Sequence, residues 1–185
     1  MKNYWQNAVT FDEYIKETER RIEVQNPEDD HNEYYELGLQ RMNRTLKTYK
    51  ADEEQLETLK SKNFNGKILI ITEPWCGDAS ATVPAVSKFF EGHNEVRIFY
   101  RDSDTSLIDQ FLTNGTQSIP KILILNEDFS LKNVWGPRPQ YGTELLKKFK
   151  ENPETYPREE FYNDLQVYYA KNKGKDAIQE ILELL

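Results

Sequence analysis

The chain has 185 residues, a formal net charge of −8 from 24 Lys and Arg against 32 Asp and Glu, and one cysteine. That length suits one domain with appendages, and the acidic balance excludes a broad nucleic-acid footprint or attraction to an anionic membrane. No stretch approaches the ~20 apolar residues of a membrane span, the start MKNYWQNAVTFDEY lacks the cationic-then-apolar pattern of a leader, and a lone cysteine excludes any internal disulfide; the expected location is cytoplasmic.

In chain order, Thr10 and Glu13 have capping-box spacing and Phe11, Ile15, Thr18 and Ile22 follow at helical intervals, which predicts a helix over 11–23. After Asn26-Pro27, Tyr35, Leu39, Met42, Leu46 and Tyr49 repeat at spacings of four and three. That stripe predicts a longer helix whose apolar face packs on the rest of the molecule. A third short helix fits 52–61, with Leu56 and Leu59 inward. Asn65-Gly66 marks a turn, and KILIIT behind it is a run suited to a strand buried on both faces. A helix is expected over 79–90, with Pro84 as a kink or first-turn residue. EVRIFYR reads as a strand, SLIDQFLTNG as a short helix ending at Gly115, KILILN as a buried strand and LKNVWG as an edge strand. Helical patterns close the chain at about 140–150, 158–171 and 175–185. The order after residue 66 is β-α-β-α-β-β-α, an α/β layered arrangement.

Cys76 lies between the KILIIT strand and the helix behind it, in TEPWCGDAS. Unpaired N–H groups and the dipole at a helix N-terminus lower a thiol's pKa. Asp78 in the first turn opposes this, so a mild depression is expected. Metal binding is not expected, because His31 and His93 are scattered and one cysteine lacks zinc-ligand spacing. No cofactor is expected either.

The segment ILIITEPWCGDA resembles the strand and active-site turn of bacterial thioredoxins. Pro84 lies eight residues after Cys76, Ser118-Ile119-Pro120 places a proline 44 residues after it, and Gly136 follows that proline by 16. The resemblance implies a thioredoxin-like fold, a central mixed sheet covered by helices, over 52–150. Residues 1–51 are then an N-terminal helical extension packed on that core and 151–185 are C-terminal helices, all in one domain. It further implies Cys76 as the nucleophile, Trp75 as the rim of a substrate groove, and a cis Ile119-Pro120 bond that turns a backbone edge toward the cysteine, with Gly77 and Asp78 also expected to bind substrate. Gly136 would allow close backbone approach beside the groove.

Two departures bear on function. Ala79 stands where a dithiol protein keeps its resolving cysteine, and Ile70 stands where thioredoxins keep a buried acid, with Glu73 a nearby substitute. Related sequences commonly read Cys-Gly-Asp-Cys, so Ala79 marks either a native monothiol protein or an engineered Cys-to-Ala trap. A monothiol glutaredoxin-type cluster site would need Cys-Gly-Phe-Ser. Two functions follow from the resemblance: thiol–disulfide exchange through Cys76 with a protein or low-molecular-weight thiol or disulfide, or a non-redox module holding an extended peptide. Arg138, stiffened by Pro137 and Pro139, is expected either to face the groove, offsetting the carboxylates around Cys76 or binding the carboxylate of a small-molecule thiol, or to be a solvated charge or pair with an acid such as Glu144. The oligomeric state is not read from the sequence.

Overall fold

The computed structural model describes all 185 residues. Its centre is a four-stranded sheet of β1 (Lys67–Thr72), β2 (Val96–Tyr100), β3 (Lys121–Leu125) and β4 (Leu131–Trp135), in the order β2-β1-β3-β4. β1 runs parallel to β2 and antiparallel to β3, and β3 runs antiparallel to β4, so the sheet is mixed. Ile68, Leu69, Ile70 and Ile71 are all fully buried. Successive side chains on a strand point to opposite faces, so both faces of β1 are covered.

Eight helices surround the sheet: α1 (Lys2–Gln6), α2 (Phe11–Val24), α3 (Asn32–Thr48), α4 (Glu53–Ser61), α5 (Gly77–Phe90), α6 (Gln140–Glu151), α7 (Arg158–Asn172) and α8 (Lys175–Leu184). The Thr10–Glu13 capping box forms at the start of α2, with the Glu13 N–H donating to Thr10 Oγ1 and the Thr10 N–H to Glu13 Oε2. Tyr35 and Met42 on α3 are buried, and Leu39 packs on the main core. α3 lies against both α2 and α5. Gly38 is the point of closest approach, since a Cβ there would stand 2.6 Å from the Pro74 carbonyl oxygen. One core joins Trp5, Tyr14 and Met42 to the sheet, α5 and α8. A second, smaller cluster holds α7 to α6 through Tyr156, Phe161, Leu165 and Tyr169.

Two elements differ from the sequence expectation. The segment 106–115 is not a helix: only the 3-10 turns Arg101–Ser103 and Ile108–Gln110 form. Leu107 and Ile108 are buried and Phe111, one turn on, packs against the core, so the helical spacing is present but spans a single turn. Asn114 and Gly115, both at positive φ, then fold the chain into a Thr113–Thr116 bridge. A single turn cut off by that reversal does not repay helix nucleation. Of the two places expected for Pro84, the structure has the interior of α5 and not its first turn. α1, too short to show a period, was not anticipated. Beyond it, Val9 exchanges two 2.8 Å backbone hydrogen bonds with Ile98 and covers the free edge of β2.

Candidate active site

The turn from β1 into α5 delivers Cys76 as the N-cap residue of α5. The thiol is buried, and its Sγ–H donates to the Ile119 carbonyl oxygen at 3.4 Å. The Ile119–Pro120 peptide is cis. Behind Pro120 lies Gly136 at φ +116°, where an added Cβ would collide with the Pro120 carbonyl oxygen; only a residue without a side chain lets the two backbones meet there.

The charge on this thiol differs from the sequence expectation. Burial, and secondarily the Asp78 carboxylate, push the Cys76 thiol up to about 12, against the opposing pull of the Ala79 and Asp78 backbone N–H groups and Arg138. The helix-end effect is present but loses, because a thiolate there would be cut off from water beside a second negative charge. The expected mild depression is therefore replaced by a rise.

Asp78 is held by three donors. Arg138 gives Nε to Oδ1 at 3.0 Å and Nη2 to Oδ2 at 2.6 Å, and Tyr169 on α7 donates its hydroxyl to Oδ1 at 2.7 Å. Burial raises the Asp78 carboxyl, and Arg138 and Tyr169 work in the opposite direction. Arg138 thus faces the site and pairs with Asp78, not with Glu144. Glu73 is buried, and its two oxygens are taken by the Asp102 N–H at 2.9 Å and Arg21 at 3.1 Å; it makes no side-chain bond to Cys76. Burial raises its carboxyl as well, mainly against the pull of the Asp102 N–H. Ala79 is buried in the core and Ile70 in β1.

Trp75 is half-buried at the rim. Its ring stacks on His31 at 4.4 Å between centroids, the Arg101 guanidinium lies 4.8 Å from it, and its Nε1 donates to Asp102 at 3.2 Å. Beside it opens a cavity of about 780 Å³, walled by Cys76, Gly77, Asp78 and Ile119 on one side and by α3 and α7 on the other. Trp75, Cys76, Gly77, Asp78, Ile119 and Arg138 line it together; Pro120 and Gly136 stand behind the lining. Sequence reasoning missed the contributions of the flanking helices: His31 at the N-cap of α3 and Arg41 within it, Arg158 and Gln166 from α7, and Tyr169 of α7, which holds Asp78. Tyr169 is 91 residues from Asp78, and no local spacing connects two such positions. No group of three or more His, Cys, Asp or Glu is placed to hold a metal ion, and no helix is long and apolar enough to cross a membrane.

Comparisons with known proteins agree with this geometry. Residues 24–150 match the family model described as Thioredoxin. The match begins at the end of α2, so α3 falls inside the family's span and not outside it. Two solved structures share the fold over nearly the whole chain. An HIV epitope-scaffold has TM-score 0.68 and 15% identity, covering 99% of this chain and 95% of its own. A Pseudomonas aeruginosa protein of unknown function has TM-score 0.64 and 17% identity, covering 98% and 93%. No curated protein matches the chain.

Proposed function

The chain belongs to the thioredoxin family, and from that premise we propose that it is a thiol–disulfide exchange protein acting through Cys76 alone. The observation that carries this reading is the place of the sulfur. It caps α5, touches the Ile119 carbonyl and opens on a cavity large enough for a small molecule.

In the exchange, Cys76 gives up its proton to solvent and its thiolate attacks one sulfur of a substrate disulfide. The substrate's S–S bond breaks, a Cys76–substrate disulfide forms, and the departing thiolate takes the electron pair and then a proton. The chain has no second cysteine, so an external thiol must attack the substrate-side sulfur of that mixed disulfide. It forms a new disulfide with the substrate fragment and returns Cys76 as the leaving thiolate, which is reprotonated. A high-pKa thiol is a slow leaving group, so the mixed disulfide is long-lived. The roles of the neighbours follow from their contacts. Ile119 holds the resting thiol, Asp78 disfavours its ionisation, and Arg138 moderates Asp78.

A second reading, a non-redox module that holds an extended peptide along the Ile119–Pro120 edge, is favoured by one observation, the burial of the Cys76 thiol against the Ile119 carbonyl, which disfavours its thiolate. Intact mass after incubation with hydroxyethyl disulfide at alkaline pH separates the two. Exchange requires one adduct on the chain, lost on adding excess thiol and absent in Cys76→Ser. A chain that stays unmodified while the same reagent labels free cysteine leaves the binding module as the reading.

A further inference from the structure

The cavity beside Cys76 is more basic than the molecule that contains it. Four arginines line it, Arg41, Arg101, Arg138 and Arg158, against one carboxylate, Asp78, on a chain of net charge −8. Two of the four are already neutralised: Arg138 by Asp78 at 2.6 Å and Arg101 by Asp102 at 2.6 Å. The other two have no carboxylate within salt-bridge reach. Arg158, exposed at the mouth, gives Nη2 only to the Tyr162 hydroxyl at 3.3 Å. Arg41 is half-buried on α3, has no hydrogen-bond partner, and is pulled below its ordinary pKa by burial and then by Arg44. A Cβ placed on Gly77 would lie 3.5 Å from Arg41 Nη1 and 3.8 Å from Gln166 Nε2. A free guanidinium and an amide thus stand over the residue that follows the cysteine.

A half-buried guanidinium without a counter-charge is costly unless something supplies one. Arginine's planar donors suit carboxylate and phosphate oxygens. Tyr34, Leu37 and Tyr162 add exposed apolar surface to the same wall, which suits the organic part of a small molecule. α3 and α7 wall one side of the site beside the sulfur, where a compact ligand fits.

We propose that this cavity binds the anionic part of a low-molecular-weight thiol or its disulfide, with Arg41 and Arg158 receiving its carboxylate or phosphate groups while its sulfur meets Cys76. The proposal rests on the exchange reading for the sulfur step but not for the binding. The bond changes are those already given, with this thiol as the external partner that releases Cys76.

The test has two arms. The first measures mixed-disulfide formation at Cys76 by intact mass with glutathione disulfide, which carries carboxylates, coenzyme A disulfide, which carries phosphates, and neutral hydroxyethyl disulfide. Each rate is normalised to that reagent's rate with free cysteine. At least one anionic disulfide should be favoured over the neutral one by roughly tenfold or more, with the preference shrinking as salt is added. Arg41→Gln and Arg158→Gln should each reduce the preference and the double variant abolish it, whereas Arg44→Gln, on the same helix outside this cavity, should not. The favoured anion identifies carboxylate or phosphate. Equal normalised rates for all three reagents, or a preference that survives in the double variant, overturns the proposal. The second arm titrates Cys76→Ser with S-methylglutathione and S-methyl coenzyme A, following Trp75 fluorescence and heat. Saturable binding of either thioether that is lost in the Arg41→Gln/Arg158→Gln background supports the anion cavity even if no reagent modifies Cys76, in which case the exchange reading alone falls. Binding of neither, or binding indifferent to both arginines, overturns the cavity proposal whatever Cys76 does.

Discussion

At Cys76 two effects of opposite sign meet. The N-terminus of α5 offers N–H groups to the sulfur, while burial and Asp78 penalise its charge, and the thiol ends up raised to about 12. Alkylation by iodoacetamide should therefore be slow at neutral pH and gain about tenfold per pH unit through pH ~9 and beyond; a plateau near neutrality would contradict this. Stability follows with a definite sign. The folded pKa lies above the ordinary value of 9.0, so the contribution of Cys76 is complete below pH ~9 and is lost as pH rises toward the folded pKa. The alkaline loss of stability measured by denaturant melts should shrink in Cys76→Ser. Asp78 is the adjustable partner: Asp78→Asn should speed alkylation at pH 8 by roughly tenfold. Arg138→Ala should slow it and, by stranding a buried carboxylate, cost about 3–5 kcal/mol. Asp78→Asn in that background should recover much of the loss, and additivity in the double-mutant cycle would contradict the pairing. The sequence made Asp78 and Arg138 visible as candidates because both sit in turns tied to the cysteine by known spacing. It could not show that burial would outweigh the helix end, because burial here depends on which elements close over the turn.

The elements that close over it are α3 and α7. The stripe of α3 was legible from its period, and the structure buries Tyr35 and Met42 from it. Met42→Ala should cost about 2–5 kcal/mol, measured by denaturant unfolding, and a loss near zero would mean that α3 does not support the core. Gly38 sets how closely α3 approaches the active turn. Gly38→Ala should cost about 1–3 kcal/mol through the clash with the Pro74 carbonyl and should also raise Cys76 alkylation by displacing α3. Wild-type reactivity in that variant would separate α3 from the site. What the period could not give was the outward side of these helices. Arg41 and Arg158 carry no spacing signal, because their meaning comes from standing across one cavity from each other. The expected helix at 106–115 failed for a different reason: Leu107, Ile108 and Phe111 have helical spacing, but the chain reverses at Asn114 and Gly115 before a second turn can form.

At the scale of the molecule, a thioredoxin sheet is combined with flanking helices that wall one side of a cavity beside Cys76. The chain contains a single cysteine, so under the proposed exchange reading it captures a disulfide but cannot release itself. Ala79 is buried one turn into α5, and Ala79→Cys should introduce release within the chain. The most direct measurement is reduction of a protein disulfide substrate as a function of added low-molecular-weight thiol, corrected for the thiol's own reaction. The expected result is a protein-dependent rate that rises from zero in proportion to added thiol and vanishes in Cys76→Ser. Sustained turnover without added thiol, or a rate that Cys76→Ser leaves unchanged, would contradict it.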